Sequence, residues 1–181
     1  MTGWICLAAY AADRGLFAAQ IESIKAQTVT DWRCVVGMDG PDPKLREFAE
    51  ALVAGDARFE VVEFGERLGF YRNFERLLVT VAADASWVAL SDQDDRWEPG
   101  KLARLLPGLE AGAGAVVGAA RVVDRDGVVI AERTRRHRSG ILALIMDNQV
   151  TGSLAVFSPE VVRFGLPFPE PGCTGRLSSG V

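Results

Sequence analysis

The sequence predicts a three-layer α/β domain with a mainly parallel, mixed sheet. Short apolar runs rich in Val, Ile and Trp alternate with amphipathic stretches through four units between residues 4 and 112. No linker or repeat divides the 181 residues. A single domain over residues 1–170 is therefore expected, with 171–181 as an irregular tail.

The first run, "WICLAAY" (4–10), reads as a buried strand. It has no basic segment before it, so a strand fits better than a secretion signal. "RGLFAAQIESIKAQ" (14–27) then sets Leu16, Ala19, Ile21 and Ile24 at helical spacing. A second strand, "DWRCVVGM" (31–38), ends in the turn signal "DGPDP". "PKLREFAEALVAG" (43–55) is an amphipathic helix closed by Gly55. "RFEVVEF" (58–64) is the third strand. "GFYRNFERLLVTVAAD" (69–84) is a helix with Phe70, Phe74, Leu77, Leu78 and Val81 on one side. "SWVALS" (86–91) is the fourth strand, and "EPGKLARLLPGLEAG" (98–112) a helix with Pro99 near its first turn. Beyond residue 114 the alternation breaks. Two β-rich runs flank Asp126-Gly127, a hairpin signal. "GILALIMDNQV" (140–150) reads as a short helix and "VTGSLAVFS" (150–158) as a strand.

Twenty basic against twenty-four acidic residues leave a net charge of -4. That balance argues against nucleic acid as a partner, because phosphate binding needs a positive face. Cys6, Cys34 and Cys173 form no close pair or metal spacing, which points to a reducing, cytoplasmic setting. No apolar run is long enough to cross a bilayer.

The fourth strand feeds "ALSDQDDRW" (89–97), three aspartates within four positions. In open α/β sheets, ligands lie beyond the carboxyl ends of the strands, so Asp92, Asp94 and Asp95 fall on the functional edge. A hard divalent cation such as Mg²⁺ or Mn²⁺ is held by one or two carboxylates, with substrate phosphates completing its shell. An acidic surface turn is the plain alternative. A calcium loop is excluded, because Arg96 and Trp97 stand where a ligand and a glycine are needed. A phosphatase of the haloacid-dehalogenase type also carries D-x-D after an apolar strand. It wants Thr or Val at the position of Arg96, and on its first strand. A nucleotidyltransferase would show a glycine-rich basic loop where "AAYAADRG" stands.

"SDQDDRWEPGKL" resembles the D-x-D segment of family 2 glycosyltransferases of the GT-A fold, in particular the rhamnosyltransferase-like branch. "LAAYAADRGLFAAQIESIKAQTVTDWRCVVGMDG" is similar to that family's first strand–helix–strand. "LGFYRNFERLL" resembles its G-x-x-x-N-F helix start, and "NQVTGSLAVF" its T-G-S strand. The resemblance covers residues 4 to about 170. It implies the nucleotide-diphospho-sugar transferase fold, with residues 1–97 binding the nucleotide sugar and 98–170 facing the acceptor. It implies inverting transfer from a nucleoside-diphosphate sugar, dTDP-rhamnose being a candidate, with Mg²⁺ or Mn²⁺. The acceptor would be a saccharide or lipid-linked molecule of cell-surface polysaccharide synthesis.

On the same resemblance, Asp94 would ligate the metal and Asp92 would lie near the ribose or a metal-bound water. Asp95 would orient the loop or serve as a helix-start acid. Asp39 would hydrogen-bond the base or act as a turn aspartate. Ala9 and Tyr10 would line the same pocket, with Ala11 in place of the family's asparagine. Asn73 would meet the diphosphate or cap its helix. Trp97 would wall the sugar pocket or serve as packing, and Thr151, Gly152 and Ser153 would face the acceptor, Gly152 permitting close approach.

"RTRRHR" carries Arg133, Arg135, Arg136 and Arg138, a solvated loop or a grip on an anionic acceptor or lipid headgroup. Peripheral membrane association would follow from the second. The family's general base is a carboxylate in an H-D or E-D pair after a proline-rich loop. That loop is present as "LPFPEPGC", but "TGRLSSGV" follows and the chain ends. Glu170 is then the candidate base, and a C-terminally truncated, catalytically impaired donor-binding domain is the competing expectation.

Overall fold

The computed structural model describes residues 2–81, 83–124, 127–131 and 152–169. Four parallel strands and their crossovers come first. They are β1 (Gly3–Ala9), β2 (Trp32–Met38), β3 (Phe59–Glu63) and β4 (Val88–Asp92). Between and after them run α1 (Arg14–Lys25), α2 (Pro43–Val53), α3 (Phe70–Val79) and α4 (Lys101–Glu110). β5 (Ala115–Val117) follows, then β6 (Val122–Val123) and β7 (Val129–Ala131) pair as a separate antiparallel ribbon. A 3-10 turn (Gly152–Leu154), β8 (Ala155–Phe157) and α5 (Pro159–Phe164) complete the described chain.

The main sheet has the order β3-β2-β1-β4-β8-β5. β1 pairs in parallel with β2 and β4, and β2 with β3, while β8 runs antiparallel to both β4 and β5. Period-2 side chains divide the core between the two faces. Ile5, Leu7, Val36 and Met38 pack with Phe17, Ile21 and Ile24 of α1 and Leu102 of α4. Cys6, Val35 and Val88 pack on the other face with Leu77 and Leu78 of α3. The three layers follow directly.

Helix starts obey local chemistry. Asp13 caps α1 by accepting from the Gly15 and Leu16 amides at 2.9 and 3.0 Å. Asp42 caps α2, accepting from Leu45 N–H at 3.0 Å with Pro43 in the first turn. Gly55 lies past the end of α2 with a φ of 82°.

Several expected details change. On α1 the covered face is Phe17, Gln20, Ile21, Ser23 and Ile24, while Leu16 and Ala19 are exposed. On α3 Phe70 stands out in solvent and Asn73 is buried in its place. α4 begins at Lys101, so Pro99 precedes the helix and Asp95 is no helix-start acid. Gly152 and Ser153 belong to the 3-10 turn ahead of β8 and not to the strand. The expected hairpin is present as β6–β7, whereas the helix expected over 140–150 lies outside the described residues. No described helix is long and apolar enough to cross a membrane.

Candidate donor site

The carboxyl ends of β1 and β2 open into a cavity of about 330 Å³. Ala9, Tyr10, Met38, Asp39, Gly40 and Arg67 line it. The Arg67 guanidinium sits 4.0 Å from the centre of the Tyr10 ring, so a cation and an aromatic face flank the opening together. Ala11 holds a φ of 44°, a left-handed conformation that asparagine and glycine adopt more cheaply than alanine.

Asp39 is buried beneath this cavity. Its Oδ1 accepts from Leu68 N–H at 2.8 Å and from Arg76 Nη2 at 2.7 Å, and its Oδ2 accepts from Gly69 N–H at 2.8 Å. Gly69 takes a φ of 84°, which lets the chain turn both amides onto one carboxylate before α3 begins. A carboxylate offers about four lone-pair directions, so one on Oδ2 is engaged by no described donor. The turn-aspartate reading therefore gives way to a carboxylate that builds the pocket floor.

Asn73 does not cap α3, whose N-cap is Gly69. It is 1% exposed and donates through Nδ2 to the Gly37 carbonyl at 2.9 Å, tying α3 to β2. Its Oδ1 and the Arg76 Nε, three residues apart, are buried without a hydrogen-bond partner among the described residues.

The acidic loop lies at the end of β4, beside β1. Asp92 is half-buried, and burial pushes its carboxyl above the ordinary aspartate value, with Asp95 and then Asp94 adding repulsion. The Ser153 hydroxyl and Lys101 oppose that rise. Lys101 donates to the Ser153 carbonyl at 2.5 Å, and its ammonium lies 3.6 Å from the centre of the Trp97 ring. Among the described residues no three carboxylate, His or Cys side chains converge on one point. Asp92 with Asp94 still fits a cation whose remaining ligands are phosphate oxygens and water.

The loop is held from behind by polar residues on α1 and just past its end. In the amide orientation that satisfies both its ends, Gln20 donates to the Asp95 carbonyl at 2.5 Å and accepts from Trp97 Nε1 at 3.2 Å. Ser23 Oγ accepts from Trp97 N–H at 3.0 Å. Gln27 donates to the Glu98 carbonyl at 2.8 Å and accepts from Leu102 N–H at 3.2 Å. Gln20 and Ser23 share the buried face of α1, and Gln27 follows two residues past its end. Trp97 is 4% exposed and packs in the core, supporting the loop instead of walling a sugar pocket. At Gly152 an added Cβ would come within 3.0 Å of the Leu90 side chain, so the glycine makes room for the protein's own packing. Ser153 is buried between Lys101 and Asp92, away from any open face. Thr151, Glu170 and the arginines at 133, 135, 136 and 138 lie outside the described residues.

A larger hollow of about 600 Å³ lies between α3 and residues 166–167. Its charged lining is already engaged: Glu75 accepts from Arg72 and from Phe168 N–H, and Arg76 is paired with Asp39. The smaller cavity beside the acidic loop is the better site.

The glycosyl transferase family 2 model matches residues 4–162. The chain belongs to glycosyltransferase family 2. The family 2 domain is similar in fold to S. aureus TarS 1-349, with 11% identity, a TM-score of 0.69, and coverage of 91% of this chain and 49% of that one. In complex with UDP-GlcNAc, TarS gives a TM-score of 0.73 at 12% identity, covering 91% and 47%. The mannosyltransferase PcManGT from Pyrobaculum calidifontis, in complex with GDP-Man and Mn²⁺, gives 0.65 at 19% identity, covering 92% and 47%. The family 2 domain thus spans about half the length of these solved relatives. Among curated proteins, none matches the chain. Family membership removes the phosphatase alternative.

Lys101 gives the family 2 domain a pH signature. Burial lowers its ammonium from 10.5 to about 7, against the pull of Asp95 and Asp92. Above pH 7 the unfolded chain keeps a proton that the folded one sheds, so stability rises with pH. Denaturant unfolding should show a gain of about 1–2 kcal/mol from pH 7 to 9, and Lys101→Met should flatten it. Above pH 9 the buried Cys6 thiol, pushed up to about 12, works in the opposite sense.

Proposed function

We propose that the domain moves a sugar from a nucleoside-diphosphate sugar to an acceptor hydroxyl with inversion, the acceptor being a saccharide or a lipid-linked molecule. The observation that carries this reading is the sharing of one sheet edge. The cavity at the ends of β1 and β2 and the acidic loop at the end of β4 are separated only by β1 and its turn. Nucleoside and diphosphate need that order of subsites. The Oδ2 of Asp39 would accept a base N–H, Tyr10 and Arg67 would flank the nucleoside, and Asp92 and Asp94 would hold Mg²⁺ or Mn²⁺. When bound, the cation supplies Lewis-acid stabilisation of the leaving diphosphate. Gln20, Ser23 and Gln27 keep the loop fixed while that charge develops. Residues 98–170 would serve the acceptor, with Arg133, Arg135, Arg136 and Arg138 offered to an anionic one at a membrane surface.

A second reading, donor binding without turnover, is favoured by the state of Glu160, the one acid among the described residues after Gly152. Glu160 is bonded to its own backbone N–H and to Ser158 at the start of α5, which leaves Glu170 as the candidate base.

The deciding experiment is a melting-temperature panel with UDP-GlcNAc, GDP-mannose and dTDP-rhamnose, each with and without Mn²⁺. One donor should raise the midpoint by several degrees, and only with metal. No shift with any of them would overturn the reading. Measured release of nucleoside diphosphate in the presence of acceptor then separates transfer from binding alone.

A further inference from the structure

The middle residue of the D-x-D segment makes the most specific long-range contact in the site. Gln93 accepts from Tyr10 N–H through Oε1 at 2.6 Å and donates from Nε2 to the Tyr10 carbonyl at 3.0 Å. The backbone ladder between β1 and β4 ends one step earlier, at Ala8 and Asp92. The Gln93 carboxamide therefore supplies one more rung, presenting a donor and an acceptor to a single residue as a strand's backbone would. Without it both backbone groups of Tyr10 would lose their protein partner on this side.

Tyr10 and Ala11 form the turn that walls the cavity, and Arg67 rests on the Tyr10 ring. Asp92 and Asp94 flank Gln93 in sequence. One side chain thus spans from the acidic loop to the wall of the adjacent pocket.

We propose that Gln93 is a positioning residue that fixes the nucleoside pocket at one distance from the metal-binding aspartates, so that a nucleoside diphosphate engages both at once. The inference rests on the donor-site reading above. Two subsites held in register turn the second contact into an intramolecular one, and a misplacement of about 1 Å can forfeit up to a hundredfold of the gain. Gln93 needs no contact with the ligand to do this.

The test compares wild type, Gln93→Ala and Gln93→Glu by calorimetry with UDP, GDP and dTDP, with and without Mn²⁺, and with Mn²⁺ alone. For the nucleotide that wild type binds best, Mn²⁺ should strengthen binding. In Gln93→Ala that strengthening should fall about tenfold, a larger loss than the metal-free affinity suffers. Gln93→Glu keeps the chain length and the acceptor for Tyr10 N–H, but it turns a carboxylate towards the Tyr10 carbonyl and adds charge beside the aspartates. It should bind Mn²⁺ alone more tightly than wild type and the nucleotide with Mn²⁺ more weakly. A residue acting only through charge would move both affinities the same way. Should Gln93→Ala fail to fold, Gln93→Glu carries the test. Retention of the wild-type strengthening in the folded variants would overturn the role of Gln93 alone. Wild type that binds no nucleotide would overturn the donor-site reading and this inference with it.

Discussion

Asp92→Asn and Asp94→Asn should each remove the metal-dependent part of nucleotide-sugar binding, a loss on the order of a hundredfold. The amide keeps the shape of the side chain and deletes the charge that a cation needs. Asp92 is the more telling of the two. Burial and two neighbouring aspartates disfavour its ionised form, so in the metal-free protein its charge is an expense. Asparagine there should leave the melting temperature unchanged or raise it, even as Mn²⁺ binding is lost. Loss of fold would mean that Asp92 is structural. Unchanged binding would remove the metal assignment. The raised carboxyl also sets a pH dependence. Metal binding requires the ionised form, so Mn²⁺ affinity should fall on acidification at a higher pH than for an ordinary aspartate. Calorimetry between pH 4 and 7 would show it.

Asp39→Ala should cost about 3–5 kcal/mol of stability. Three donors lose their acceptor together: the Leu68 and Gly69 amides and the Arg76 guanidinium. Arg76 is left largely buried without its counter-ion, which is the expensive part. Arg76→Ala in the same background should recover part of the loss, because the stranded charge goes with it. Denaturant unfolding of the two single variants and the double variant measures the coupling. Strict additivity would show that Asp39 and Arg76 act independently. Donor binding should weaken in Asp39→Ala as well, since the segment leading into α3 loses its anchor beside Arg67.

The fold was legible because a parallel sheet writes itself into sequence as apolar runs with helices between. All four parallel strands coincide with the runs that announced them to within a residue, β1 starting one earlier at Gly3 and β4 reaching one further to Asp92. The sheet's far edge was harder. β5 and β8 have three residues each, too short for a period to develop, and their pairing depends on contacts far away in the chain. In the site, the aspartates could be found because clustered like charges are anomalous on any surface. What holds them was hidden. Gln20 and Ser23 look like ordinary polar positions until the face of α1 they share proves to be the buried one, and Gln27 until it proves buried just beyond. Gln93 and Lys101 gain their meaning only from Tyr10 and Ser153, 83 and 52 residues away. Trp97 and Gly152 showed the reverse hazard: residue types often found at ligands can serve packing alone.

The placement of β8 between β4 and β5 has a consequence for synthesis. β5 pairs with β8 and lies at the edge of the main sheet, so it must wait for residues 118–154 to be made before any strand can join it. Until then the outer edge of β4 is an open row of backbone donors and acceptors, a site for wrong partners on a crowded ribosome. The same late arrival brings Ser153 to Asp92 and Lys101. The growing chain therefore completes the support of its acidic loop only when its sheet closes.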